Sequence, residues 1–279
     1  MKIISNIIKY IVLIALIISM ILTIAINIVT TTILNKEYIL GKLEETNYYN
    51  NVYNQVESNF ENYIYQSGLD EDVIKGIISE NDIKEDTIQI IDNIYEKNNT
   101  EIDVNKIKER LETNIYNSLS KEKISDNTKK AIDQFIEKIV NEYKNTIVHT
   151  KYESNINNVL SKVINYSSKI KMILIAIDMI LAIILLLLNL KNILKGVKQI
   201  GISLCATSIF YIIGNIIINT NIKIDTITVF NSAFSMSLRK ILNDFLGTFI
   251  LNAIILLVIG FILIFIANII LCKKIDDKN

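Results

Sequence analysis

Residues 172–190 read MILIAIDMILAIILLLLNL, with one charge (Asp178) and neither Gly nor Pro. As a helix rising about 1.5 Å per residue, this stretch covers roughly 29 Å, the thickness of a bilayer's hydrocarbon core. A run of that length and composition is a transmembrane helix before it is anything else. It divides the chain into a polar stretch behind a single preceding span and a compact apolar stretch beyond it.

Three further runs follow the same logic. Residues 10–34 form the first span, behind a short tail (1–9) carrying Lys2 and Lys9. Its apolar run is longer than the 7–15 residues of a signal peptide and no A-x-A site follows, which points to an uncleaved anchor. The third span is 200–218 and the fourth 245–271.

The segment 219–244 between them carries Ile227, Phe230, Phe234, Leu238, Ile241 and Phe245 at helical spacing. That pattern predicts an amphipathic helix lying along the outer interface.

The zero net charge hides a segregation. Residues 36–168 hold 24 acids against 16 bases, and the surplus of bases flanks the spans. Acidic middles with basic membrane flanks exclude a nucleic-acid footprint. The three proposed inner segments are 1–9, the loop 191–199 with Lys191, Lys195 and Lys198, and the tail 272–279 with Lys273, Lys274 and Lys278. The outer loop carries Lys223, Arg239 and Lys240, so the bias is modest. By the positive-inside rule both termini are expected in the cytoplasm of a cell membrane, with residues 35–171 extracytoplasmic.

Within that polar domain the period is helical throughout. Tyr49, Tyr53, Val56, Phe60 and Tyr63 step by 4, 3, 4 and 3, a heptad seam that predicts one helix continuing outward from the first span and stopping at Gly68. Ser79 is placed to cap a helix bearing Ile83, Thr87, Ile90 and Ile94. A loop is expected at 97–100, and a further helix carries Val104, Ile107, Leu111, Ile115 and Leu119. After a turn at 125–128, Ile132, Ile136, Ile139, Tyr143 and Ile147, then Tyr152, Ile156, Val159, Val163 and Ile170, describe a long helix descending into the second span. The fold class expected is all-α: a four-helix transmembrane bundle with a long extracytoplasmic helical stalk or bundle inserted between its first two spans. The stalk reading pairs two long antiparallel helices; the other reading is a squat bundle of kinked ones.

Asp178 is the one charge deep within a span. A carboxylate there costs on the order of 2.5–3.5 kcal/mol on insertion scales, so it calls for a partner or a use. Counted from the span ends, Asn27, Asp178, Tyr211, Asn215 and Asn252 all fall in the outer half, which predicts an intramembrane polar layer. It reads either as helix–helix hydrogen bonding or as a proton or cation site. Ser203, Thr207 and Gly214 share one face of the third span, a pattern that predicts helix packing.

The remaining signals carry little chemistry. His149 stands alone, and the two cysteines, Cys205 and Cys272, lie in or beside spans, so no disulfide holds the polar domain. The acidic groups Asp70–Glu71–Asp72 and Asp82, Glu85, Asp86 lack calcium-loop spacing, and helix N-terminal charge accounts for them. No catalytic residues, cofactor site or metal site is expected. The absence of Pro and Trp, with abundant Ile, Asn and Lys, points to an AT-rich bacterial genome.

The function expected is that of a non-enzymatic polytopic membrane protein. It would bind a protein partner or sense the envelope through its outer helical domain, with the lipid bilayer as its other partner. The order of one span, a large outer domain and three spans is similar to that of FtsX/MacB-type permeases of ABC systems. That similarity of span order implies a transport component as the alternative. A channel is a third reading, resting on Asp178, and would require a homo-oligomer to surround a pore.

Overall fold

A chain with no proline contains no residue that forbids a helix interior, and its helices end by side-chain competition for the backbone or at left-handed residues instead. The computed structural model describes residues 2–96, 101–119, 125–147, 153–229 and 231–276. Every regular element among them is helical: α1 Lys2–Thr31, α2 Lys36–Glu45, α3 Tyr48–Ser67, α4 Glu80–Glu96, α5 Asn105–Ser118, α6 Asp126–Ile147, α7 Glu153–Leu188, α8 Ile193–Asn221 and α9 Ser232–Asp276. Short 3-10 turns occupy Glu71–Ile74, Leu190–Asn192 and Ile224–Thr226. The candidate spans run Asn6–Thr31, Lys162–Leu188, Leu190–Thr226 and Ser232–Cys272, each long and apolar enough to cross a membrane.

Two expectations about helix boundaries come out differently. The helix predicted from the first span to Gly68 is broken twice. At its first break Thr30, Thr31 and Thr32 turn their hydroxyls onto the carbonyls of Asn27 and Ile28, and the Leu34 N–H reaches back five residues to Val29. Consecutive β-branched hydroxyl residues both crowd the helix and compete for its acceptors. At the second break Asn47 takes a left-handed conformation, φ 51°, which Asn tolerates better than most residues. Gly68 does end α3, at φ 71° with its N–H on the Ile64 carbonyl at 3.2 Å.

The segment 219–244, expected to form an interfacial helix separate from the fourth span, is divided instead: α8 runs on to Asn221, and from Ser232 the rest is continuous with the span. Between Leu238 and Phe245 nothing interrupts the hydrogen-bond ladder, and Gly247 alone costs only about 1 kcal/mol. The expected continuity of α6 into α7, His149 and the loop at 97–100 lie outside the described residues.

The chain forms two units. The first, here the helical module, comprises residues 36–163 and 228–238; the second, the span unit, comprises 1–35, 164–227 and 239–279. The module packs α2, α4, α6 and the Glu71–Ile74 turn against α3, with α5 lying on α6 and on that turn. Its core is apolar: Val52, Val56, Phe60 and Ile64 of α3 meet Ile83, Leu111, Ile115, Ile136, Ile139 and Tyr143. The heptad seam is rotated from expectation. Tyr53 and Tyr63 sit at the rim, and their hydroxyls donate to Glu57 and Glu142 at 2.9 and 3.0 Å, where a phenol keeps a polar partner. Ser79 and Asp82 cap α4 reciprocally: the Asp82 N–H donates to Ser79 Oγ at 3.2 Å and the Ser79 N–H to Asp82 Oδ2 at 2.9 Å.

Candidate intramembrane site

The span unit inverts the module's chemistry. Its exposed side chains are Ile, Leu, Val, Phe and Met along all four spans, from Ile7 on α1 to Ile270 on α9. Its buried ones include Ser19, Asn189, Ser203, Thr207, Ser208 and Asn215. Apolar chains facing lipid gain nothing by turning inward, so small and hydrogen-bonding residues make the contacts.

α8 sits between two neighbours and uses opposite faces for them. Toward α9 it presents Gly201, Cys205, Ser208 and Asn215. A Cβ added at Gly201 would stand 2.8 Å from the Gly260 carbonyl oxygen, and one added at Gly260 would stand 2.7 Å from Cys205 Sγ. The backbones therefore touch where only glycine fits. Further along, the Ser208 hydroxyl donates to the Ala253 carbonyl at 2.6 Å and Asn215 Nδ2 to that of Leu246 at 3.0 Å. Phe249 of α9 meets the Tyr211 ring at 5.2 Å. On its α1 side the Tyr211 hydroxyl donates to the Ile21 carbonyl.

Of the packing face read from the sequence, Ser203 and Thr207 are fully buried on the side of α8 that carries Tyr211. Gly214 meets open space, with no atom within 4 Å of a Cβ built there. The close approach belongs to Gly201 and Gly260, which sequence reasoning passed over.

The anticipated polar layer does not converge on Asp178. Asn215 and Tyr211 tie α8 to its neighbours, and Asn252 donates to its own helix at Thr248. Asn27 offers its backbone carbonyl to Thr30 and Thr31. The side chain that meets Asp178 is Thr23: its Oγ1 lies 2.6 Å from Asp178 Oδ2 and 3.0 Å from the Ser19 carbonyl oxygen. Asp178 Oδ1 is buried with no hydrogen-bond partner, as are the hydroxyls of Ser19 and Thr207.

A second polar node closes the other end of the bundle. Asn189, just past α7, accepts from Lys9 of α1 at 2.9 Å and donates to the Leu185 carbonyl and to Gln199 of α8, each at 2.8 Å. Gly196 lets the turn close: a Cβ there would meet Leu186 at 3.0 Å.

The module carries its own charged site, a cavity of about 130 Å³ lined by Asp82, Glu85, Asp86, Asp103, Lys106 and Tyr143 among others. Burial pushes the Asp86 carboxyl above its usual range despite the hydrogen bond donated by Tyr143. Burial acts on Asp82 in the same sense. There the hydrogen bonds from Ser79 and from Arg110, whose Nη1 is 2.9 Å away, outweigh it and hold the group below that range. Among the described residues no group of three or more His, Cys, Asp or Glu side chains could hold a metal ion.

Compared with protein-family models, with curated proteins and with solved structures, the chain matches none.

Proposed function

We infer that the chain is a non-enzymatic membrane protein that acts by holding a polypeptide partner on its helical module, outside the cytoplasm. The observation that carries this reading is the relief along α6. Two open grooves of about 360 and 370 Å³ flank a ridge made by Glu137 and Asn141, which line both. One groove adds Tyr63, Gln134, Lys138, Glu142 and Asn145; the other adds Lys108, Asp133 and Lys144 over a floor of Ile136 and Val140. Amides and charges of both signs offer donors and acceptors to a polypeptide, where a small apolar ligand would find little. Most of the module's large apolar residues are spent on its own core, with Tyr65 and Tyr116 among the exposed exceptions, so a largely polar relief is what α6 presents. Lys191, Lys195 and Lys198 around the α7–α8 turn support a cytoplasmic position for that turn, and so an outer position for the module.

A photocrosslinking residue at Asn141, in the full chain in intact cells, tests the reading against the same residue at Asn54, exposed on α3 and lining neither groove. One envelope protein captured from Asn141 and not from Asn54 is the expected result. Co-purification of a nucleotide-binding ATPase with the full chain would move the protein to the transport reading. Equal patterns from both positions would remove the α6 surface from the account.

A further inference from the structure

The contacts at Thr23 do not balance with an ionised Asp178. A threonine hydroxyl has one hydrogen to donate, and a carboxylate can only accept. Thr23 Oγ1 lies within hydrogen-bonding distance of two oxygens, Asp178 Oδ2 at 2.6 Å and the Ser19 carbonyl at 3.0 Å. If both are pure acceptors, one hydrogen must serve two oxygens, and at least one contact is a weakened hydrogen bond. A hydrogen on Oδ2 resolves this: the carboxyl donates to Thr23, and Thr23 donates on to Ser19, so both contacts become bonds in one chain. The unpartnered Oδ1 is then the oxygen of a neutral acid, far cheaper to bury than half of a carboxylate.

We propose that Asp178 holds a proton inside the span unit and that this proton, relayed through the Thr23 hydroxyl, clasps α7 to α1. Among the described residues the Thr23–Asp178 contact is the one side-chain hydrogen bond from the body of α7 to another helix of the unit. The rest of the helix is held weakly. Met172, Ile173, Ile175, Met179, Ile180 and Ile183 all face outward, and the Asn189 node grips only its far end.

The ligand is a single proton, and its release converts Asp178–CO₂H to Asp178–CO₂⁻ and H⁺, the latter passing to water. Among the described residues Asp178 makes no ion pair. The nearest charged residues in sequence along the four spans are Lys9 on α1, Lys171 on α7, Lys198 and Lys223 at the two ends of the third span and Asp244 on α9. The Tyr211 hydroxyl is committed to Ile21, and the Cys205 thiol lies against the Leu257 carbonyl. Loss of the proton therefore leaves a carboxylate without a counter-ion in an apolar setting, and Thr23 must give up the Ser19 carbonyl to donate to it, which loosens the relay between α7 and α1.

The full chain in lipid vesicles provides the test, read by infrared spectroscopy across pH. A carbonyl stretch of a protonated carboxyl, present at neutral pH and lost in Asp178→Asn, is expected. Thr23→Val, which keeps the carboxyl and removes its acceptor, is expected to shift that band, and Thr23→Ser to restore it. Spin labels at Leu22 and Ile175, both lipid-facing, report the clasp: one narrow separation in the unsubstituted chain and in Asp178→Asn, whose amide still donates, against a broad one in Thr23→Val. No band sensitive to Asp178, or a band and a separation both unmoved by Thr23→Val, would overturn the proposal. Should Asp178→Asn fail to fold, the Thr23 pair alone decides.

Discussion

The helical module and the span unit are both built from helices, yet their interiors are opposites. In the module the buried residues are large and apolar, and Phe60, Leu111, Ile139 and Tyr143 fill the space between helices. In the span unit a close contact is backbone on backbone at Gly201 and Gly260, and the inter-helix bonds come from Ser208, Tyr211, Asn215 and Thr23, with the Asn189 node at one end. The contrast follows from the solvent. Water makes apolar burial worth about 25 cal/mol per Å², whereas lipid offers no such gain, so packing and hydrogen bonds hold the spans together.

Truncating the module's core has the largest expected effect. Phe60→Ala should destabilise the module by about 3–5 kcal/mol, through lost burial and the cavity left behind. Ile183→Ala, at a lipid-facing site of the span unit, should cost a small fraction of that. Chemical denaturation of the full chain in detergent, followed by circular dichroism, makes the comparison. Equal losses would erase the distinction between the two interiors.

The reverse substitution sharpens it. Gly201→Val forces a side chain into the Gly260 backbone and should cost about 1–3 kcal/mol or separate α8 from α9. Gly214→Ala meets open space and should gain up to about 1 kcal/mol of helix propensity. Thermal unfolding of the two variants side by side checks both signs. A harmful Gly214→Ala beside a harmless Gly201→Val would mean that the α8 faces are assigned the wrong way round.

Smaller effects attach to the module's acidic cavity, and they run in opposite directions. Asp82 is held low, so it adds stability above the usual carboxylate range and that stability is lost as pH falls. Asp86 is held high, so its proton-bound form is the one the fold favours, and stability is lost as pH rises through the usual range toward the raised value. Asp82→Asn should therefore destabilise the module at neutral pH by about 1 kcal/mol and flatten its acid limb. Asp86→Asn keeps an acceptor for Tyr143 and should be neutral or stabilising there, by under about 1 kcal/mol. Denaturant midpoints measured from strongly acidic to neutral pH separate the two.

The spans were legible because length and uniform apolarity admit few alternatives, and α6 because its buried set, Ile132, Ile136, Ile139, Tyr143 and Ile147, repeats at helical spacing. The break at Asn47 was not legible, since an asparagine in a heptad pattern looks like any other polar residue. The glycine crossing was missed for a different reason. α8 carries small residues on two faces, Gly201–Cys205–Ser208 and Ser203–Thr207, and the sequence of one helix does not say which neighbour takes which face. Thr23 escaped because a threonine is unremarkable in a span, although it lies one turn from Asn27, on the same face of α1.

The two-solvent account is tested most directly by labelling intact cells with a membrane-impermeant thiol reagent. In a chain carrying Cys205→Ala and Cys272→Ser, single cysteines replace Asn141 on the module, Ile255 on a lipid-facing surface and Lys195 at the α7–α8 turn. Asn141→Cys should label in intact cells, Lys195→Cys only after permeabilisation, and Ile255→Cys only after denaturation. Labelling of Lys195→Cys from outside with Asn141→Cys protected would reverse the topology, and ready labelling of Ile255→Cys in the folded protein would contradict the membrane assignment itself.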